Sequence, residues 1–126
     1  MTKPLRIQFI LADGVHARWV KRSENADDFA TIRELKAHAH ANGARDHGDD
    51  HDHAAFARQV AYAINAEVGA GHYDRLALIA PAHTLAAISQ GLAPAARARL
   101  FRTLAKDLVQ TPDHALADWL RPLEFG

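Results

Sequence analysis

The sequence predicts a single mixed α/β domain, and three observations carry that prediction. Two apolar, alternating segments flank Asp13-Gly14, a pair suited to a hairpin turn needing positive φ. Arg75–Ala80 (RLALIA) is a nearly continuous apolar run, the composition of a central strand covered on both faces. Stretches of helical spacing separate the later strands, and such alternation implies a mixed sheet covered by helices. At 126 residues one core is the simplest arrangement, so residues 1–126 are read as one domain with a five-stranded sheet.

Taken in order, Leu5–Ala12 and Val15–Arg22 form the hairpin, with Ile7, Phe9 and Leu11 sharing a face of the first arm and Val15, Ala17 and Trp19 a face of the second. Ser23–Asp28 is a polar turn, and Phe29–Lys36 reads as a third strand with Phe29, Thr31, Arg33 and Leu35 alternating. A polar segment over residues 37–52 follows, with Gly43 and Gly48 as its joints. From about His53 to Val68 the spacing is helical. Phe56, Val60 and Ile64 lie on the apolar arc, and Arg58, Gln59, Tyr62 and Asn65 lie opposite. Asp50 or Asp52 would cap or charge its first turn. After the central strand, Leu85, Ile88 and Leu92 mark a short helix closed by Gly91, and Pro94 opens a further turn. Leu100–Ala105 reads as the last strand. Thr111-Pro112 starts a final helix striped by Leu116, Trp119, Leu120 and Leu123. Both tryptophans, Trp19 and Trp119, are read as core or interface anchors.

Fifteen acidic residues balance fifteen basic ones, so no overall basic excess points to nucleic acid. The distribution is uneven: Ser23–His53 holds eight acids against Arg33, Lys36 and Arg45. The absence of cysteine excludes disulfides and thiolate metal sites and fits a reducing compartment. No run approaches the ~20 apolar residues of a membrane helix, and the first apolar run is too short for a signal-peptide core. A cytoplasmic protein is the default expectation, with no membrane among its partners.

The residues 37–52 are the chemically peculiar part. His38, His40, His47, His51 and His53 alternate there with Asp46, Asp49, Asp50 and Asp52. Imidazoles two apart share a face of an extended chain, so His47, His51 and His53, with Asp49 or Asp50, compose a candidate site for zinc or another transition metal. The alternatives are a solvated polar loop and a sensor of mild acidification. No fixed metalloenzyme spacing such as HExxH appears, nor a phosphate-binding glycine loop or a nucleophile motif. A second candidate is basic. Arg97, Arg99 and Arg102 cluster near the last strand beside Lys106, and with Arg58 they are the residues to meet RNA phosphates; the plainer reading is a solvated edge that resists aggregation.

Four stretches carry a resemblance to a known family: LADGVHARWV at Leu11–Val20, HDHAAFARQVAYAI at His51–Ile64, YDRLALIAPAHTLAAI at Tyr73–Ile88 and LAKDLVQTP at Leu104–Pro112. In this order they resemble the bacterial host-attachment proteins, a family similar to the middle domain of archaeal and eukaryotic peptide release factors. The resemblance implies a mixed α/β fold related to ribonuclease H. In release factors a Gly-Gly-Gln loop tip precedes a helix whose Phe and Arg match Phe56 and Arg58. The tip has no match, because Gly48 is followed by Asp49 and Asp50. Aspartates facing a phosphate-lined interior are repelled, so peptide-release activity is not expected. The expectation is a non-catalytic binding module acting on the ribosome, RNA or a protein partner. Its rival is a metal-binding protein or metal-dependent hydrolase built on the His/Asp segment. Oligomeric state is not legible.

Overall fold

Two strands without a polar face set the centre of the molecule, which the computed structural model describes over residues 6–23, 28–37 and 50–124. They are β1 (Ile7–Ala12) and β4 (Arg75–Ala80), and they pair in parallel. Phe9–Ala12 and Leu76–Ala80 are all 0% exposed, as the unbroken RLALIA run predicts. β2 (His16–Arg22) and β3 (Phe29–Lys36) extend one side antiparallel, and β5 (Leu100–Ala105) extends the other in parallel. The sheet order is β3-β2-β1-β4-β5, so β3 and β5 are its edges. A single α/β domain with a five-stranded mixed sheet is what the sequence predicts.

The helices α1 (Asp50–Gly69), α2 (Ala82–Gln90) and α3 (Pro94–Arg99) cover one face. Phe56, Val60 and Ile64 of α1 pack there on Ile10, Trp19 and Leu78. The opposite face is closed by the C-terminal segment, whose Leu108, Leu116 and Leu120 lie over Phe9, Leu11 and Ile79. Phe29 meets Phe9 edge-on at 5.5 Å in the same layer. Among the described residues no helix is long and apolar enough to cross a membrane.

Five details depart from the sequence reading, four of them minor. The hairpin turn does not use positive φ: among the described residues only Gly71 has it, at 73°. Instead the Asp13 carboxylate accepts hydrogen bonds from the amides of Val15 (2.9 Å) and His16 (2.8 Å), an Asx turn that closes the loop. Second, α1 starts at Asp50 rather than His53, so both Asp50 and Asp52 belong to its first turn. Third, Asn65 is not a free polar residue. Its amide donates to Gly91 O (3.1 Å) and accepts from Ala93 N (2.9 Å), satisfying the backbone that links α2 to α3. Fourth, the C-terminal helix is broken into a 3-10 turn at Asp113–Ala115, α4 (Ala117–Leu120) and a second 3-10 turn at Arg121–Glu124. Pro122 has no amide to continue the α-helical ladder. Leu116 and Leu120 are buried, but Trp119 is 39% exposed with the Lys106 ammonium 4.5 Å over its ring. Trp119 is therefore no core anchor, whereas Trp19 is fully buried.

The most consequential departure is in β3. Trp19 pairs with Arg33, and the next residue, Val20, pairs with Thr31, leaving Ile32 without a partner. This bulge breaks the alternation of Phe29, Thr31, Arg33 and Leu35, because one extra residue reverses the facing of everything beyond it. Phe29 and Thr31 serve the C-terminal side of the sheet, and Arg33 and Leu35 serve the α1 side. Ile32 is left 55% exposed.

On the C-terminal side, Thr31 joins a clasp built on Arg18, which is buried at 7% exposure in the middle of β2. The Arg18 guanidinium donates to Val109 O (2.9 Å), Thr111 O (2.5 Å), Thr31 Oγ1 (3.1 Å) and Asp113 Oδ1 (2.6 Å). Thr31 in turn donates its hydroxyl to Asp113 Oδ1 (2.6 Å) and its amide to Oδ2 (3.0 Å). Burial pushes the Asp113 carboxyl up, but the donors from Thr31 and then Arg18 outweigh it and hold the group below its ordinary range.

Two predictions follow from this packing. Phe56, 2% exposed at the centre of the helix face, should cost ~3–5 kcal/mol as Phe56→Ala. Tyr62, 77% exposed, should change stability by no more than ~0.5 kcal/mol as Tyr62→Ala. Denaturant midpoints of the two variants check the contrast. Asp113 contributes stability that is present above the ordinary carboxylate range and lost as pH falls through its lowered folded value, below ~4. Asp113→Asn should therefore destabilise the protein at pH 7, and the difference from wild type should shrink towards pH 2–3 in thermal melts.

Candidate functional site

Because the bulge turns Arg33 and Leu35 towards α1, they face the flank of that helix and enclose a groove with it. The groove is lined by Arg33, Leu35, Ala55, Arg58, Gln59, Tyr62 and Ala63, with a volume of about 510 Å³. That lies within the ~300–1,000 Å³ typical of small-ligand clefts. Among the described residues the lining has two guanidinium groups and no carboxylate. Arg58, Gln59 and Tyr62 are exposed at the helix surface, and residues three and four apart on a helix are neighbours, so Arg58 and Tyr62 stand side by side.

The two arginines differ in what they already hold. Arg33 lies 4.9 Å over the Trp19 ring and 3.6 Å from Glu67 Oε2. Glu67 also accepts the Trp19 indole N–H at 2.5 Å, so Trp19, Arg33 and Glu67 form one locked set beneath the groove. Arg58 has no hydrogen bond or ion pair among the described residues. Among the described residues, then, the positive charge of the groove that meets no carboxylate sits on Arg58, beside an exposed aromatic ring.

The sequence-predicted residues are divided among three places. Arg58 lines the groove at the β3 edge, while Arg97 and Arg99 belong to α3 and Arg102 to β5, the opposite edge. Arg97 donates to Ser89 O (3.0 Å), Arg99 to Ala95 O (3.3 Å), and Arg102 lies 5.5 Å over Phe101. Of the candidate metal ligands, His47 and Asp49, with the side chains of Asp50 and His51, lie outside the described residues, as do His38 and His40. His53 is described, and its imidazole lies against the hairpin turn: a Cβ on Gly14 would sit 2.8 Å from its Cδ2. Gly14 is thus required by close approach to His53 rather than by its backbone angles. Among the described residues no group of three or more His, Asp or Glu side chains could hold a metal ion.

Arg33, Gln59 and Tyr62 were not singled out by the sequence. An exposed Tyr one turn beyond an exposed Arg was a visible signal, whereas the facing of Arg33 depends on the bulge.

A family model described as "protein required for attachment to host cells" matches residues 33–120, well over half of the chain. The chain belongs to this host-attachment family. Every residue lining the groove falls within the matched stretch. No functionally curated protein matches the sequence. A solved structure titled "Archaeal protein" superimposes on 93% of this chain with a TM-score of 0.54 at 13% identity, and the chain spans 36% of that protein. At that identity the likeness is one of fold.

His53 and Gly14 yield a prediction of their own. Gly14→Ala must displace the imidazole, and overpacking of this kind costs ~1–3 kcal/mol. Most of that loss should be regained when Gly14→Ala is made in a His53→Ala background, measured as a double-mutant cycle in denaturant.

Proposed function

We propose that this host-attachment family member is a non-catalytic binding module that works in the cytoplasm and holds RNA in the groove between β3 and α1. The observation that carries the reading is an exposed tyrosine beside an arginine that, among the described residues, has no ion pair, in a groove whose described lining holds no carboxylate. Guanidinium groups meet phosphates through paired N–H donors, and aromatic faces receive bases irrespective of sequence. The resemblance of the motifs at His51–Ile64 to the release-factor middle domain agrees with an RNA-facing role. Peptide release is no part of the proposal, since Asp49 and Asp50 follow Gly48 where the release chemistry needs a neutral glutamine amide. A protein of this kind contributes to attachment indirectly, through the RNA or ribosome it engages.

Binding to labelled total RNA by fluorescence anisotropy tests the proposal. Arg58→Gln should weaken binding and lower the slope of log K against log salt by ~0.7, the value for one phosphate contact on a single strand. Arg97→Gln, at the other edge of the sheet, should leave both unchanged. Equal losses from the two variants would place the RNA elsewhere.

A further inference from the structure

We propose that the groove selects unpaired RNA, taking one extruded base against the Tyr62 ring while Arg58 holds a phosphate of the same strand. This rests on the RNA reading of the groove and specifies what that site discriminates.

The first argument is the condition of Tyr62. It is 77% exposed, and among the described residues its hydroxyl has no hydrogen-bond partner and its ring packs on no other ring. A tyrosine presenting a free face suits stacking, and only a base outside a duplex presents its own face in return. In an A-form duplex the base faces are covered by their neighbours, so Tyr62 would meet only riboses and phosphates.

The second argument is the composition of the walls. Leu35, Ala55 and Ala63 are the apolar or small residues beside Tyr62, so they add surface for a ring without competing for its edge. Gln59 lies one turn before Ala63 and three residues before Tyr62. Its amide both donates and accepts, which suits the Watson–Crick edge of a base that has no pairing partner. That edge is occupied in a duplex.

The third argument concerns charge. Arg33 is held by Trp19 and Glu67, so its guanidinium is a fixed part of the wall. Arg58 alone of the two has no carboxylate against it among the described residues. It stands four positions before Tyr62, placing the two Cβ atoms about 5–6 Å apart, within the reach of a single nucleotide. One phosphate and one base are what this pair can hold at once. A duplex surface, with phosphates on both strands, asks for a broader array of cations than the groove supplies.

The test uses the full chain with a labelled oligo(A) single strand and with the same strand paired to oligo(U). Wild type, Tyr62→Ala, Tyr62→Phe and Arg58→Gln are titrated at low salt. The single strand should bind at least about tenfold more tightly than the duplex, and Tyr62→Ala should weaken it roughly 5- to 150-fold, the range for one base–aromatic stack. Tyr62→Phe should retain most of the affinity, because the ring is kept and only the hydroxyl is lost. Near-equal affinities for the two RNAs would overturn the selectivity. So would a Tyr62→Ala variant that binds the single strand like wild type. If Arg58→Gln still weakens both RNAs in that case, the groove is a phosphate site and the broader RNA reading stands. Absence of binding to either RNA by the wild type would overturn both proposals together.

Discussion

Ile32 has no partner on β2, and that unpaired residue decides where the side chains on either side of it point. In an unbroken strand Thr31 and Arg33 would share a face, and β3 could serve only one of the two cores. With the bulge, Thr31 turns to the Arg18 clasp and Arg33 to the Trp19 ring. An edge strand is the place where such an insertion is tolerated, since only one ladder has to absorb it. The exposed Ile32 is the cost of the arrangement, and the charged Arg33, Glu34 and Lys36 beside it discourage pairing with another chain's edge. One irregularity thus ties the C-terminal layer to the sheet and opens the groove beneath α1.

The clasp gives that irregularity a fixed position. A guanidinium taken out of water is tolerated only when its donors are satisfied and its charge is met. Arg18 finds backbone carbonyls from the segment after β5, the Thr31 hydroxyl and the Asp113 carboxylate. Each acceptor lies in a different part of the chain from Arg18. Their agreement on one geometry holds β3 against β2 and holds the C-terminal segment over Phe9 and Leu11. Hydrogen bonds to a charged group are worth ~1.5–3 kcal/mol each, more than a neutral pair. Removing one acceptor costs more than that bond alone, since the charge stays buried. The wall of the groove formed by Arg33 and Leu35 is therefore anchored from the far side of the sheet.

The elements were legible where local chemistry decides them. Phe29–Lys36, Arg75–Ala80 and Leu100–Ala105 occur with the bounds their apolar runs imply. The inward face of α1 is the arc of Phe56, Val60 and Ile64. What failed to show in the sequence depends on partners distant along the chain. Arg18 looks like an ordinary polar break between Ala17 and Trp19, because its acceptors lie on β3 and in the segment after β5. The bulge looks like regular alternation, because register is set by β2. Gly14 looks like a turn glycine, although its small size is needed by His53 on α1. Of the groove, Arg58 could be named from charge alone, and Tyr62 was placed on the outer face without a neighbour to give it meaning.

The chain as a whole carries no net charge, with fifteen acidic and fifteen basic residues, so no broad field draws a polyanion to it. The RNA recognition proposed for the groove has to come from contacts made at short range, and its strength turns on how little must be ordered on binding. Arg33 is already fixed between Trp19 and Glu67, and α1 is fixed by its buried arc. Only Arg58, Gln59 and Tyr62 remain to be immobilised, at ~0.5–1.5 kcal/mol for each rotamer-rich side chain. Tyrosine is the cheapest of the three, having two side-chain torsions and a large rigid face. A preformed floor with a single mobile cation at its rim favours a ligand that is flat on one side and anionic on the other. It disfavours a duplex, whose two rows of phosphates need many cations at once.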